Sequence, residues 1–296
     1  MSQGAPAGGP RSPDEPLIPE GLDATLVLLR HGESEWIVEG RFQGQAETPL
    51  SATGRRQAAL AARRLAQPHA SPALPVPAGR PLEIVHSPLA RTRETALAVS
   101  TAIEDELATV GPDEVGTTPH AGAPAVRADA GIMEIGQGEW EGVTHDEIMR
   151  RWSAELAAWR RRPVEAWAPG GESLAVVQAR VRPALGVVLE RLGRDHPRGT
   201  MDRAQVGGYR GVVADAQPWS ILVGHDGVFK VVLLTLFGIP LEHFWTFSFD
   251  LCGITVVDFR GGRAVLHAHN LGEHLAPMAD EQAREAAERR ARSGAL

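Results

Sequence analysis

The sequence predicts an α/β protein, a three-layer αβα sandwich built on a mainly parallel sheet with an antiparallel edge. Short apolar runs, typical of buried strands, alternate along the 296 residues with longer stretches that begin at helix-capping signals. This alternation is typical of parallel strands whose connecting helices cover both faces of the sheet. Near the C-terminal end, Ile254–Phe259 and Arg263–His267 flank Gly261-Gly262. That is the pattern of a β-hairpin, so we expect antiparallel strands there.

The other elements follow from the same two signals. Ser51 and Ser87 are expected helix N-caps, and Thr144-His145-Asp146-Glu147 has the spacing of a capping box. The remaining strands are predicted at Thr25–Leu29, Leu82–Val85, Ala125–Arg127 (a short edge strand) and Ser220–Val223. The helices are predicted at about residues 51–68, 89–109, 144–162, 173–192 and 228–237.

These elements are expected to form one domain, residues 23–276, with a lid region at about 140–172. Residues 1–22 are rich in Pro and Gly and are expected to be a disordered tail. Residues 196–218, also Gly- and Pro-containing and polar, are expected to be a surface insertion. Residues 277–296 are expected to be a charged, helical C-terminal tail.

Composition excludes several classes of partner. A formal net charge of -7 argues against a general nucleic-acid or membrane-surface binder. No segment approaches the roughly 20 apolar residues needed to span a bilayer, and the N-terminus has no signal-peptide pattern. Cys252 is the only cysteine, so no intrachain disulfide can form. We therefore expect a cytoplasmic protein and leave a homodimer open.

Polar residues follow three of the predicted strands. Arg30-His31 follows the first strand, Arg91 lies shortly after the second, and His225 follows the strand that ends near Val223. Because ligands of a parallel sheet bind beyond the carboxyl ends of its strands, we expect these four side chains to gather at one edge. Two guanidiniums suit a phosphoryl group, whose oxygens they bind bidentately.

A histidine in a phosphate site suggests nucleophilic catalysis. A neutral imidazole can attack phosphorus and divide the reaction into two displacements through a phosphohistidine. Such a reaction needs an acid that protonates the leaving oxygen. Glu134, Glu139 and Glu141 are the candidates, and residue chemistry alone does not choose among them.

The chain resembles the histidine phosphatase superfamily, the phosphoglycerate-mutase-like proteins. The resemblance covers most of residues 25–275 and rests on blocks that occur in the family's order. These blocks are RHGESEW, GRFQGQAETPLSATGRRQA, SPLARTRETA, MEIGQGEWEG, PGGES and VGHDGV. It implies a phosphoglycerate-mutase-like fold and, from the block Gly138–Gly142, the phosphatase branch.

The resemblance also implies roles for individual residues. His31 corresponds to the phosphorylated nucleophile and Glu134 to the proton donor. Arg30, Arg91 and His225 correspond to the phosphate-binding shell. Further positions that correspond to the substrate pocket are Gln43, Gly171, Glu172 and Ser173. No cofactor and no metal are implied, and the expected partner is a small phosphorylated substrate.

Two residues depart from the family's pattern. Ile37 stands where the family often has an Asn that touches phosphate. Asp226 stands where the second histidine is usually followed by Gly, and its carboxylate would repel bound phosphate unless it turns away. We interpret Asp226 as the N-cap of the helix that follows.

Three other functions stay open at this point. A mutase of the same superfamily is the nearest, although mutases usually carry Asn-Glu-Arg where this chain has Met133-Glu134-Ile135. A metal-dependent hydrolase would use His31, His225, Asp226 and Glu134 as ligands, but two arginines would then lie beside the cation. A phosphate-binding protein without catalytic activity is the third.

Overall fold

A single six-stranded sheet lies at the centre of the computed structural model, which describes residues 16–109, 124–194 and 217–281. The strands are β1 (Ala24–Arg30), β2 (Glu83–His86), β3 (Ala125–Ala128), β4 (Trp219–Gly224), β5 (Ile254–Arg260) and β6 (Arg263–Leu271). Their spatial order is β3-β2-β4-β1-β5-β6. The first three neighbouring pairs are parallel, whereas β5 is antiparallel to both β1 and β6. A mainly parallel sheet with an antiparallel edge is thereby confirmed.

Seven α-helices in the described residues accompany the sheet. They are α1 (Glu35–Val38), α2 (Ala52–Ala66), α3 (Ala90–Thr109), α4 (His145–Arg151), α5 (Ser153–Arg161), α6 (Leu174–Arg194) and α7 (Asp226–Phe237). Ser51 caps α2 by accepting from the Gly54 N–H, as predicted.

The helix predicted at 144–162 is two helices, because Trp152 has non-helical backbone angles between α4 and α5. Both halves lie in the predicted lid region. They bury Ile148 and Leu156 in a small cluster around Trp140.

Both faces of the sheet are covered by helices. Alternate residues of β1 point to opposite faces, so Val27 and Leu29 pack with α2 and α3. Leu26 and Leu28 belong to the larger cluster, to which α6 and α7 contribute. The result is the predicted three-layer arrangement, in which β1 and β4 are buried along their length.

The β-hairpin at the antiparallel edge closes as predicted. Gly261 and Gly262 have φ values of 57° and 79° between β5 and β6. Two successive positive φ angles are the requirement of a type I′ turn, which glycine meets without steric cost.

The structure describes the residues at both ends of the predicted domain, from residue 16 and up to residue 281. Leu17 and Leu22, in the segment predicted to be a disordered tail, pack into the larger cluster, so the packed chain begins before residue 23. Residues 1–15, most of the 196–218 insertion and most of the C-terminal tail lie outside the described residues. Among the helices that are described, none is long and apolar enough to cross a membrane.

Phe259, in β5, offers a test of core stability far from the site. It lies beside the start of β1, at the opposite end of that strand from Arg30. Phe259 is fully buried and pairs with Ala24 at the start of β1. Phe259→Ala should lower the free energy of unfolding by about 3–5 kcal/mol, measured by urea denaturation, because it leaves a cavity in the larger cluster. The control Leu97→Ala removes a side chain from a residue that is 50% exposed and should change it by about 0.5 kcal/mol or less. Equal losses in the two variants would contradict this account of the core.

Candidate active site

The site begins where β1 ends. Arg30 is the last residue of β1, and the next residue, His31, is held by two backbone hydrogen bonds. Its N–H donates to the Gly224 carbonyl at 3.0 Å, and its carbonyl accepts from the Cys252 N–H at 3.3 Å. Gly32 then lets the chain pass close to α2, because a Cβ there would lie 2.4 Å from the Gly54 oxygen. The strand therefore gives His31 a fixed backbone position.

The surroundings of the His31 ring fix its tautomer and its charge. Its Nδ1 lies 2.6 Å from the Gly32 carbonyl oxygen, which can only accept, so we assign the proton to Nδ1 and the lone pair to Nε2. Burial lowers the pKa of His31 well below its usual range, and the charges of Arg91 and Arg30 lower it further. The imidazole is therefore neutral near pH 7, the form in which an imidazole nitrogen can act as a nucleophile.

His225 lies beside His31. The two ring centroids are 5.0 Å apart in an edge-to-face arrangement, and His225 occupies the N-cap position of α7 directly after β4. Burial, followed by the charge of Arg91, holds the pKa of His225 well below its usual range. The ring is completely buried in a neutral form.

Two arginines complete the cluster. Arg91 lies in the first turn of α3, is completely buried and donates from Nη2 to the Gly44 carbonyl at 2.7 Å and from Nη1 to the Ala46 carbonyl at 3.1 Å. Burial lowers the pKa of Arg91 to about 10, although the nearby carboxylates of Glu134, Glu47 and Glu141 oppose that shift. Arg91 thus stays charged near pH 7. Arg30 donates from Nη1 to the Phe249 carbonyl.

Several nitrogens of this cluster lack protein partners. Within the described residues, Arg30 Nε, Arg91 Nε and both ring nitrogens of His225 are buried without a hydrogen bond. Leaving buried polar groups unpaired costs about 1–3 kcal/mol each, and more for charged groups. A dianionic phosphoryl group supplies acceptor oxygens and the opposite charge. The cluster is suited to hold a phosphate ester against His31.

Glu134 lies next to this cluster. Its carboxylate accepts from three backbone N–H groups, those of Ile135 (2.9 Å), Val228 (3.0 Å) and Gly227 (3.3 Å), and the last two belong to the first turn of α7. Burial raises the pKa of Glu134 and the charge of Asp226 adds to this shift, although the N–H bonds from Ile135 and Gly227 and the charge of Arg91 oppose it. A raised pKa favours the protonated carboxyl, the form required of a general acid.

The other two carboxyl candidates are placed differently. Glu139 is exposed to solvent. Both oxygens of Glu141 accept from backbone N–H groups of Gln45, Ala46 and Gln137, at 2.9, 3.0 and 2.9 Å. Of the three, Glu134 is the one held at the start of α7, beside His225.

Substitution of Gly227 tests the contact between Glu134 and α7. A Cβ at this residue would lie 2.7 Å from Glu134 Oε1 and 2.9 Å from Ile135 Cδ1. Gly227→Ala should therefore displace the carboxylate and lower kcat by about 10²-fold, because a displacement of about 1 Å can cost that much. The control Gly272→Ala adds a Cβ with no heavy atom within 4 Å and should retain activity. Wild-type kcat in Gly227→Ala would contradict this placement of Glu134.

The predicted pocket residues make contacts within the protein. Gln43 Oε1 accepts from the Ser34 hydroxyl at 2.9 Å. Glu172 forms a two-point ion pair with Arg180 and accepts from the Gly136 N–H at 2.8 Å.

The two neighbours of Glu172 have local roles as well. Gly171 donates its N–H to Ala168, and the Ser173 hydroxyl accepts from the Val176 N–H in the first turn of α6. Contact between these residues or Gln43 and substrate stays a prediction.

The interpretation of Asp226 as an N-cap is wrong. His225 occupies the N-cap position, and Asp226 is the first residue of α7. Its carboxylate is paired with the Lys230 ammonium at 2.6 Å and accepts from the Phe249 N–H at 3.2 Å. Residues four apart lie on the same face of a helix, so the Asp226 side chain can reach Lys230 along α7. Much of the negative charge is thereby compensated within the protein.

Ile37, the other departure, lies in α1 and is half-buried. Its N–H donates to the Ser34 hydroxyl, which caps this short helix.

Across the described residues, no group of three or more His, Cys, Asp or Glu side chains converges to hold a metal ion.

Known proteins share this sequence pattern. A sequence model of the histidine phosphatase superfamily (branch 1) matches residues 26–111, 117–201 and 203–272. Phosphoserine phosphatase 1 of Hydrogenobacter thermophilus is 28% identical over 251 residues, which cover 84% of this chain and 93% of the relative. A protein of Klebsiella pneumoniae named probable phosphoglycerate mutase GpmB is 27% identical over 269 residues, 86% of this chain and 97% of its own.

Proteins named glucosyl-3-phosphoglycerate phosphatase are found both among the sequence relatives and among the solved structures. Glucosyl-3-phosphoglycerate phosphatase of Mycobacterium tuberculosis is 32% identical over 219 residues, 74% of this chain and 77% of the relative. A structure of mycobacterial glucosyl-3-phosphoglycerate phosphatase with inorganic phosphate superposes with a TM-score of 0.61 at 25% identity. The superposition covers 85% of this chain and 99% of that one.

Proposed function

Since this chain belongs to the histidine phosphatase superfamily (branch 1), we propose that it hydrolyses a small phosphomonoester through a phosphohistidine at His31. The observation that carries this proposal is the cluster of buried, unpartnered nitrogens of Arg30, Arg91 and His225 around a neutral His31 imidazole. The cations compensate the charge of the phosphoryl oxygens, and Nε2 of His31 is free to attack.

The reaction proceeds in two displacements. In the first, the Nε2 lone pair of His31 forms a bond to phosphorus while the bond from phosphorus to the ester oxygen breaks, and Glu134 gives its proton to that oxygen. In the second, water attacks the phosphohistidine, Glu134 takes a proton from the water, and the phosphorus–nitrogen bond breaks. Inorganic phosphate leaves, and both His31 and Glu134 regain their starting protonation states.

The substrate is proposed to be a phosphorylated metabolite with a polar leaving group. The relatives named phosphoserine phosphatase and glucosyl-3-phosphoglycerate phosphatase support this class. The predicted lid, residues 140–172, includes Trp152 and Trp159 and is proposed to bind the leaving group. The test is phosphate release over a panel of phosphomonoesters that includes phosphoserine and glucosyl-3-phosphoglycerate. No release from any member would contradict the proposal.

Mutase activity is the second candidate, because a protein named as a probable phosphoglycerate mutase also matches most of the chain. Incubation with 3-phosphoglycerate distinguishes the two activities. We expect release of inorganic phosphate to exceed formation of 2-phosphoglycerate. Conversion to 2-phosphoglycerate without phosphate release would favour the mutase.

The cytoplasmic location also stays a proposal. It is supported by the single cysteine, Cys252, whose thiol is free and buried. Cell fractionation tests the location, and light scattering tests whether the purified protein is a homodimer.

A further inference from the structure

The loop of residues 44–46 holds the guanidinium of Arg91. Both terminal nitrogens of Arg91 donate into this loop, to the carbonyls of Gly44 and Ala46. The direction of the guanidinium, and with it the direction of the unpartnered Arg91 Nε, therefore depends on where these two carbonyls lie. A displacement of the loop would displace the charge that faces the phosphate.

Glu141 holds the same loop by its N–H groups. Oε1 of Glu141 accepts from Gln45 N at 2.9 Å, and Oε2 accepts from Ala46 N at 3.0 Å. The approach is so close that a Cβ on Gly44 would lie 2.1 Å from Glu141 Oε1. The loop is thus fixed between the guanidinium of Arg91, which binds its carbonyls, and the carboxylate of Glu141, which binds its amides.

Glu141 also reaches the segment that carries the acid. Its Oε1 accepts a further hydrogen bond from Gln137 N at 2.9 Å, three residues after Glu134. The side chain of Gln45, in the loop that Glu141 binds, donates to the Glu134 carbonyl at 3.1 Å. The Glu141 carboxylate therefore connects the loop that holds Arg91 to the segment that carries Glu134.

We infer that Glu141 is a positioning residue for phosphoryl transfer. It fixes the position of the Arg91 guanidinium relative to the segment that carries Glu134, and it does not touch the substrate. The inference rests on the proposed function. Glu134 binds the first turn of α7 beside His225, whereas Glu141 binds the loop that holds Arg91 and the amide of Gln137, so its task differs from the acid role of Glu134. Glu141 is required as an anionic acceptor with both oxygens.

The test compares Glu141→Gln with wild type. Glutamine keeps the shape but directs an NH₂ group at a backbone N–H that needs an acceptor. We expect inorganic phosphate to bind about 10- to 100-fold more weakly, measured by calorimetry, and kcat/KM on the best panel substrate to fall by a similar factor. Gly44→Ala, which keeps the Glu141 charge but displaces its carboxylate, should give the same weakening. Glu139→Gln, an exposed carboxyl nearby, should bind phosphate as wild type does.

A double-mutant cycle with Arg91 separates positioning from general structural support. If Glu141 acts through Arg91, Glu141→Gln should weaken phosphate binding much less in an Arg91→Ala background than in wild type. Equal weakening in both backgrounds would overturn the inference, as would wild-type phosphate affinity in folded Glu141→Gln. These binding measurements need no turnover. A protein that binds phosphate in the predicted pattern but hydrolyses no substrate would therefore contradict the proposed function and leave the positioning role intact.

Discussion

His31→Ala should lower kcat by at least about 10³-fold, because no other group in the cluster can replace its attacking nitrogen. His225 is neutral as well, but it follows a different strand, so we expect its ring to approach bound phosphate from another direction. Phosphate binding should largely persist in His31→Ala, since Arg30, Arg91 and His225 remain. The measurement is steady-state phosphate release combined with calorimetric titration of inorganic phosphate.

The matched control for this variant is His243→Ala, which removes an exposed histidine outside the cluster. It should retain wild-type turnover. Because His31 is buried, circular dichroism should first establish that His31→Ala is folded. A folded His31→Ala enzyme with wild-type kcat would contradict nucleophilic catalysis by this residue.

Glu134→Gln should lower kcat by about 10²- to 10⁴-fold on alkyl phosphates, whose leaving oxygen needs a proton. The loss should be much smaller on p-nitrophenyl phosphate, whose leaving group departs as a stabilised anion. This contrast identifies an acid, because a merely structural defect would slow both substrates alike. Equal losses on the two substrates would contradict the assignment.

The pH dependence of the wild-type enzyme follows from the same two residues. Burial raises the pKa of Glu134 above its usual 4.5, so the acid keeps its proton to higher pH, and activity falls as pH rises through the raised value. Burial lowers the pKa of His31 well below 6.5, so the nucleophile stays neutral into the acidic range. We therefore expect kcat/KM to fall as pH rises through the raised pKa of Glu134, and to fall as pH drops through the lowered pKa of His31. The fall at higher pH should be much weaker in Glu134→Gln.

The sequence predicts the central part of this site because strand ends and ligand positions are linked in parallel sheets. The apolar run of β1 and the polar pair that follows it place Arg30 and His31 at one edge. His225 is predicted at the same edge because it follows the apolar run of β4. The structure brings these groups together, with the His31 and His225 ring centroids 5.0 Å apart.

The supporting contacts could not be predicted, because they join segments that no local pattern relates. Glu141 binds the amide of Gln45, 96 residues earlier. Asp226 was interpreted as a cap from local chemistry alone. Its partners are instead Lys230, one turn further along α7, and the amide of Phe249 in a distant loop. Contacts of this kind depend on how the loops pack, which residue periodicity does not encode.

The most direct test of the account is to trap the phosphorylated enzyme. The protein is mixed with its best panel substrate, quenched in base within milliseconds and digested, and the peptides are analysed by mass spectrometry. We predict an acid-labile, base-stable phosphate on His31 that is absent from His31→Ala. Rapid turnover with phosphate on another residue, or equal labelling of His31→Ala, would contradict a phosphohistidine at His31.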